Sequence, residues 1–359
     1  MSLLFEPYKF CGLDLKNRLV RSATMENMAT PEKVPSKEML ALYQRLARSG
    51  VGLIITSGVR PDRKWDLSPY SKNMCIDSDD FIPRFAELSG RVHSFGCKVA
   101  MQLGSFYRFH GELVAPSSVS LEGSSDPVPR ALTPDEIKTI VQAYGEAGGR
   151  AKRAGYDAVQ LNAAHGFPLS RFLSPYFNRR TDAYGGTPEN RCRIIIEITS
   201  AIRERVGPDF PVFIKMNVSD FIDGGMTLSD SVEVAKIISQ NGIAAIETSG
   251  GMFGAKVTQS GPIDPSEWRE GYFMEYAGAI KTAVQVPVIL VGGLRNPSMM
   301  ESIIREAKAD LVAMSRPFIK EPEIVKRWIE GDTSPSKCVS CDGCMDVYLS
   351  GEGVHCVTE

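Results

Sequence analysis

The stretch PVILVGGLRNP (287–297) is an apolar, β-branched run that stops at two glycines and restarts at Asn296-Pro297. A continuously apolar run suits a parallel strand covered on both faces, and a capping residue followed by proline opens a helix. The stretch therefore reads as one strand–turn–helix unit. Seven further runs repeat it: RLVRSA (18–23), VGLIITS (51–57), KVAMQL (98–103), YDAVQL (156–161), PVFIKMN (211–217), IAAIETS (243–249) and DLVAMS (310–315). Amphipathic segments between them carry their own start signals. Thr133 to Glu136 spells a capping box, Thr187-Pro188 repeats the cap-then-proline pair, and Ser36 with Glu38 is a weaker version.

Eight such units without a Pro-, Gly- or Ser-rich linker predict an α/β fold, a (β/α)8 TIM barrel over residues 1–335. A doubly wound sheet is the alternative, but the spacing is regular and no GxGxxG follows the first strand. Residues 336–359 form a short Cys-rich C-terminal tail. The loop 104–133, between the third strand and its helix, is unusually long and predicts a small hairpin over the barrel mouth.

The 359 residues are 43% hydrophobic and 23% charged, with a net charge of -2 and both signs interspersed. Length alone would allow two domains, but barrels use this much chain as one. No basic stripe points to nucleic acid, no apolar run reaches membrane-span length, and the start MSLLFEPYKF lacks signal-peptide architecture. The expectation is a soluble cytoplasmic protein with a small-molecule substrate and neither a nucleic-acid nor a membrane partner.

In a barrel, chemistry sits at the C-terminal ends of the strands. Those positions hold Ser22, Ala23 and Thr24 after strand one, Gly58 after strand two and Gln102 at the end of strand three. Asn162 and His165 follow strand four, Lys215 lies in strand five and Ser249-Gly250-Gly251 follows strand six. Gly292-Gly293, with a helix start at Asn296-Pro297, lets backbone approach a phosphate, and Arg316 on the next strand brings a planar fork that suits one. A tight turn and a surface ion pair are the plainer account of the same residues. Gln102 offers a donor and an acceptor to a heterocycle edge. Lys215 in a buried strand needs an anionic partner. It could stabilise charge on a reduced flavin, form a Schiff base, or pair structurally with a neighbour such as Asp220.

These residues carry a pattern. LKNRLVRSAT (15–24), the Gln102 strand, AAHGFPLSRFLSPYFNRRTDAYGGTPENRCR (163–193), VFIKMN, VGGLRNP and VAMSRPF resemble the Old Yellow Enzyme family, in its NADH:flavin oxidoreductase and 2,4-dienoyl-CoA reductase branch. The resemblance runs from residue 3 to about 331. It implies one non-covalent FMN, with NAD(P)H as electron donor. Ala23, Thr24, Gly58 and Gln102 would meet the flavin ring, Lys215 its N1/O2 side, and Gly251, Gly293 and Arg316 the phosphate. Asn162 and His165 would bind and polarise the carbonyl oxygen of an activated alkene or other electrophilic acceptor. The family more often places His first in that pair.

Two departures stand out. Phe167 occupies the position where relatives place a proton-donating tyrosine, and Tyr107 in the long loop is a candidate substitute. In the first loop Met25 and Asn27 stand where relatives carry a cysteine and a tyrosine; for Met25 plain packing is the simpler reading.

The tail reads CVSCDGCM…C. Cys338, Cys341, Cys344 and Cys356 crowd the last 22 residues, while Cys11, Cys75, Cys97 and Cys192 are scattered. Such density suggests metal chemistry in a reducing compartment. The resemblance implies [4Fe–4S], with zinc as the alternative; in multi-domain relatives a similar cluster passes electrons to further domains. The sequence ends at Glu359, so the expectation is a chain without those domains that would use an external electron-transfer partner. Association into homo-oligomers is also implied by the resemblance. Two other function classes stay open: a Schiff-base lyase built on Lys215, and a flavin- or metal-containing redox sensor with little turnover.

Overall fold

A computed structural model of the chain describes residues 2–65, 72–104, 106–124, 127–252 and 254–358. Residues 105, 125 and 126 of the long loop lie outside the described residues. Eight parallel strands form the centre: β1 Leu19–Arg21, β2 Leu53–Ile55, β3 Lys98–Leu103, β4 Ala158–Ala163, β5 Val212–Asn217, β6 Ala245–Ser249, β7 Val288–Val291 and β8 Leu311–Met314. β8 pairs with β1, and β4 pairs with both β3 and β5, so the sheet closes on itself. Closure removes every sheet edge, and helices cover the outside. All eight apolar runs form barrel strands.

The lumen is filled by Leu53, Ile55, Phe213, Ile289 and Leu311, with Ala100, Ala158 and Ala245 between them. A larger apolar layer joins the outer strand faces to the helices. This is why the strands read as unbroken apolar runs rather than as alternating ones.

The four capping signals are used. Thr133 Oγ1 accepts from the Glu136 N–H at 3.3 Å while Glu136 accepts from the Thr133 N–H at 2.8 Å. Ser36 caps Met39, Thr187 caps Asn190 and Asn296 caps Ser298. The fourth strand starts and ends two residues later than its apolar run. Tyr156 N–H bonds the Ala151 carbonyl, closing the end of the helix Pro134–Arg153. β4 then runs on to Ala163, with Asn162 in register with Lys215. Asn162 is thus held inside the sheet.

Two hairpins dress the ends of the barrel. Tyr8–Phe10 and Leu13–Leu15 are joined by Cys11 and Gly12, whose φ values of 52° and 83° suit a tight two-residue turn. This hairpin, which the sequence reading passed over, seats Phe10 in the lumen 5.1 Å from the Phe213 ring. At the other end the long loop folds into the expected small hairpin, Arg108–Phe109 against Glu112–Ala115, with Arg130–Ala131 added in parallel.

The tail folds back across the C-terminal mouth. Its short helix Gly343–Leu349 is followed by a strip in which Val354 N–H bonds Glu26 O at 2.9 Å and Asn27 Nδ2 bonds Glu352 O at 3.3 Å. Lys320 Nζ holds Thr358 O at 2.6 Å. No helix among the described residues is long and apolar enough to cross a membrane.

Candidate active site

The C-terminal ends of the strands surround a cavity of about 1120 Å³. Ala23, Thr24, Gly58, Gln102, Asn162 and His165 line it, and so do Lys215, Gly293 and Arg316. Of the sequence-derived site residues, Gly251 is the one that is not on the wall. Its φ is 75°, and a Cβ there would lie 2.2 Å from the Val257 carbonyl oxygen, because the hairpin Val257–Thr258/Gly261–Pro262 folds back over it. Gly251 is required by this close backbone approach.

The floor is a buried polar network. Lys215 Nζ donates to Ser22 Oγ at 2.9 Å and lies 3.3 Å from Glu247 Oε1. The partner of the lysine is therefore Glu247 on β6, not Asp220. Asp220 is occupied elsewhere, accepting from Asn217 Nδ2 at 3.0 Å and Met226 N–H at 2.8 Å, and burial raises its pKa. Gln160 Nε2 donates to Glu247 Oε2 at 2.7 Å, and Gln102 Nε2 donates to Gln160 Oε1 at 2.8 Å. Gln160 and Glu247 escaped the sequence reading. The available signal was a polar or acidic residue inside an otherwise apolar strand, since such a charge is rarely buried unpaired.

On one wall stand Asn162 and His165. The Asn162 carbonyl oxygen accepts from the Ala164 N–H at 3.4 Å, which leaves Nδ2 as the outward donor. His165 adopts a left-handed backbone, φ 61°, and its N–H is held by Asn217 Oδ1 at 2.9 Å. A non-glycine residue there is strained unless its surroundings hold it. The ring nitrogen Nε2 lies 2.7 Å from Ser249 Oγ. Burial, together with the Lys215 ammonium, holds the imidazole pKa well below its ordinary value of 6.5, so the ring is neutral near pH 7. Phe167 also lines the cavity, its ring centroid 6.1 Å from that of His165. Tyr107 meets Phe167 edge-on at 5.9 Å and is not among the lining residues. Met25 is a lining residue rather than a packing one.

The opposite end holds the glycine pair and Arg316. Cβ atoms at Gly292 and Gly293 would lie 3.0 and 2.8 Å from the Tyr272 ring, so the backbone comes closer there than other residues allow. The helix start behind them is already taken: Glu270 accepts from Arg295 N–H at 2.7 Å and Asn296 N–H at 2.6 Å. Those amides are not available to an anion. Arg316 donates to Ser260 O at 2.8 Å and stands 3.5 Å from Asp342 of the tail. Tail residues Cys344, Met345, Tyr348 and Val354 complete the wall, a contribution with no signal in the strand pattern.

Cys338, Cys341, Cys344 and Cys356 share a second, smaller cavity beside the first. All four are free thiols. Among the described residues no group of three or more His, Cys, Asp or Glu side chains is placed to hold a metal ion, so the expected metal centre has no support in this arrangement.

A closed parallel barrel with this wall can be compared with known proteins. Residues 3–333 match the NADH:flavin oxidoreductase / NADH oxidase family. The chain belongs to that family. The resemblance to Old Yellow Enzymes drawn from its motifs therefore holds. An NADH oxidase from Thermoanaerobacter brockii is 36% identical over 357 residues, 95% of this chain and 53% of that protein. The chain thus spans about half the length of that relative. An NADPH dehydrogenase from Halalkalibacterium halodurans is 33% identical over 323 residues, covering 89% of this chain and 91% of the relative. Among solved structures, a 2-naphthoyl-CoA reductase complex superposes with a TM-score of 0.90 at 25% identity, covering 99% of this chain and 56% of that one.

Proposed function

We propose that this family member is an FMN-dependent NAD(P)H oxidoreductase of the ene-reductase type, acting on an activated alkene or another carbonyl-bearing, electrophilic acceptor. One observation carries the reading: a single cavity brings together Gln102, Lys215, Asn162 and His165. Its polar groups fit a flavin. Gln102 Oε1, in a side chain that is 4% exposed, has no donor among the described residues, and Lys215, paired with Glu247, lines the same cavity. Gly292 and Gly293 bring bare backbone to the cavity wall, where a Cβ would clash with the Tyr272 ring. Ala23, Thr24, Gly58, Gln102 and Lys215 would hold the ring, and Gly293 with Arg316 the phosphate end. When bound, FMN supplies a two-electron carrier that takes hydride from NAD(P)H and gives it to the acceptor.

The chain's own residues would do the rest. Asn162 Nδ2 and the neutral His165 ring offer two hydrogen bonds to a carbonyl oxygen and stabilise negative charge as it develops there. A histidine held neutral donates that bond without surrendering a proton. Phe167 supplies no acid, so the proton for the α-carbon comes from solvent. The Schiff-base reading is disfavoured by geometry: an amine nucleophile needs a lone pair, and Lys215 is an ammonium paired with Glu247. The four tail thiols form a donor set that suits a soft metal, iron–sulfur ahead of zinc, and loading would require them to converge. A cytoplasmic, self-associating protein and an external electron-transfer partner belong to the same proposal.

An anaerobic absorption spectrum with iron and zinc analysis tests it. The purified protein should be yellow, bleach with NAD(P)H and turn over repeatedly with enones. A colourless protein that cannot be reconstituted with FMN defeats the proposal, and a flavoprotein with no turnover leaves the redox-sensing class in its place.

A further inference from the structure

The hydrogen bonds under the cavity floor have a direction that is set from one end. Glu247 is fully buried, and a carboxylate only accepts. Ser22 Oγ and Lys215 Nζ approach its Oε1, and Gln160 Nε2 reaches Oε2 at 2.7 Å. Because Gln160 must turn its NH2 to Glu247, its carbonyl faces the other way and accepts from Gln102 Nε2 at 2.8 Å. The Gln102 NH2 is then committed, and its Oε1 is left beside Gly58. Reversing either amide would set like groups face to face. Register stiffens the relay: Gln102 stands across from Gln160, and Lys215 across from Glu247, on adjacent strands. Neither Gln160 nor Glu247 lines the cavity.

We propose that Glu247 and Gln160 are positioning residues: through two amides the buried carboxylate keeps the Gln102 carbonyl oxygen toward the cavity, and its other oxygen pairs Lys215 on the same cavity wall. The floor then selects a flat heterocycle whose edge presents an N–H donor to the Gln102 oxygen. This rests on the flavin reading, because an isoalloxazine carries such an imide N–H.

Glu247→Gln makes the test sharp, since it keeps size and reverses direction. Lys215 and Ser22 would hold the new amide's oxygen, and its NH2 would donate to Gln160. Both amides would turn, and Gln102 would present NH2 to the cavity. Wild type should bind FMN more tightly than N3-methyl-FMN, read by quenching of flavin fluorescence after exchange of any resident cofactor. Glu247→Gln should reduce that ratio about tenfold, the worth of one hydrogen bond. Gln160→Leu leaves the Lys215–Glu247 pair intact and only frees Gln102; it should reduce the ratio by about threefold, and it carries the test if Glu247→Gln does not fold. A second readout needs no flavin. The Gln102 side-chain NH2 should exchange slowly with solvent deuterium in wild type and quickly in either variant, by NMR of the protein as purified. If wild type binds neither flavin, the flavin reading fails while the exchange rates still decide the relay. An unchanged flavin ratio in the variants, or a Gln102 NH2 as protected there as in wild type, overturns the proposal.

Discussion

At the N-terminal end of the barrel, Phe10 packs into the lumen against Phe213 and closes it. Lys281 holds Asp310 at 2.8 Å, and Cys11 Sγ donates to Ala244 O at 3.2 Å. At the C-terminal end, Gln102 Oε1 and Asn162 Nδ2 have no partner among the described residues, and both side chains are at most 8% exposed. Both residues line the cavity, and neither atom is among the buried side-chain atoms without a partner, so water or a ligand can serve them. One end of the same eight strands is closed by an aromatic plug, and the other presents unpaired polar atoms to a cavity. That contrast marks the mouth as the place where a ligand completes the structure.

The contrast breaks most visibly at the plug. Phe10→Ala removes a fully buried ring and should destabilise the fold by about 3–5 kcal/mol, measured by denaturant unfolding. Flavin content per folded molecule should not change. If the variant instead lost flavin at unchanged stability, the two ends would not be independent.

At the mouth the expected effect moves from stability to rate. Asn162→Ala and His165→Ala should each lower kcat on an enone by about 10²–10³, the usual loss of one oxyanion donor. Unfolding free energy should move by no more than about 1 kcal/mol, since neither change leaves a large apolar cavity. Phe167→Tyr is the converse change, and it should raise enone turnover at least about tenfold if a missing acid limits the reaction. No gain would mean that the pocket serves an acceptor that needs no such acid.

How much of this was legible in the sequence follows from the same division. Continuous apolar runs exposed the strands, because a strand covered on both faces has no reason to alternate. Asn162 and His165 were legible because a polar pair at a strand's C-terminal end has few structural uses in a barrel. Glu247 was not: one acidic residue in IAAIETS says that a partner exists, not that it is Lys215 across the sheet. Gly251 was assigned to a ligand because a glycine after a strand cannot show that the loop at Val257 returns over it. The helix amides behind Gly293 looked free because Glu270, which occupies them, lies 25 residues away in sequence. Local pattern carried the scaffold, and long-range pairing decided which groups stayed free.

The smallest effect probes the wall electrostatically. His165 has a folded pKa below its ordinary value of 6.5, through burial first and the Lys215 charge second. Below about pH 6.5 the unfolded chain therefore binds a proton that the folded chain refuses, and stability rises with pH where the unfolded state holds more protons. Acidification below pH 6.5 should cost wild type up to about 1.4 kcal/mol per pH unit through this one ring, with no contribution above that window. Carboxylates titrate in the same range, so the quantity to measure is the difference between wild type and His165→Gln across pH 7 to 5. The variant should lose less stability on acidification. Parallel curves would mean that the ring accepts a proton in the folded protein, and the neutral hydrogen-bond donor at the mouth would then be the wrong description of this wall.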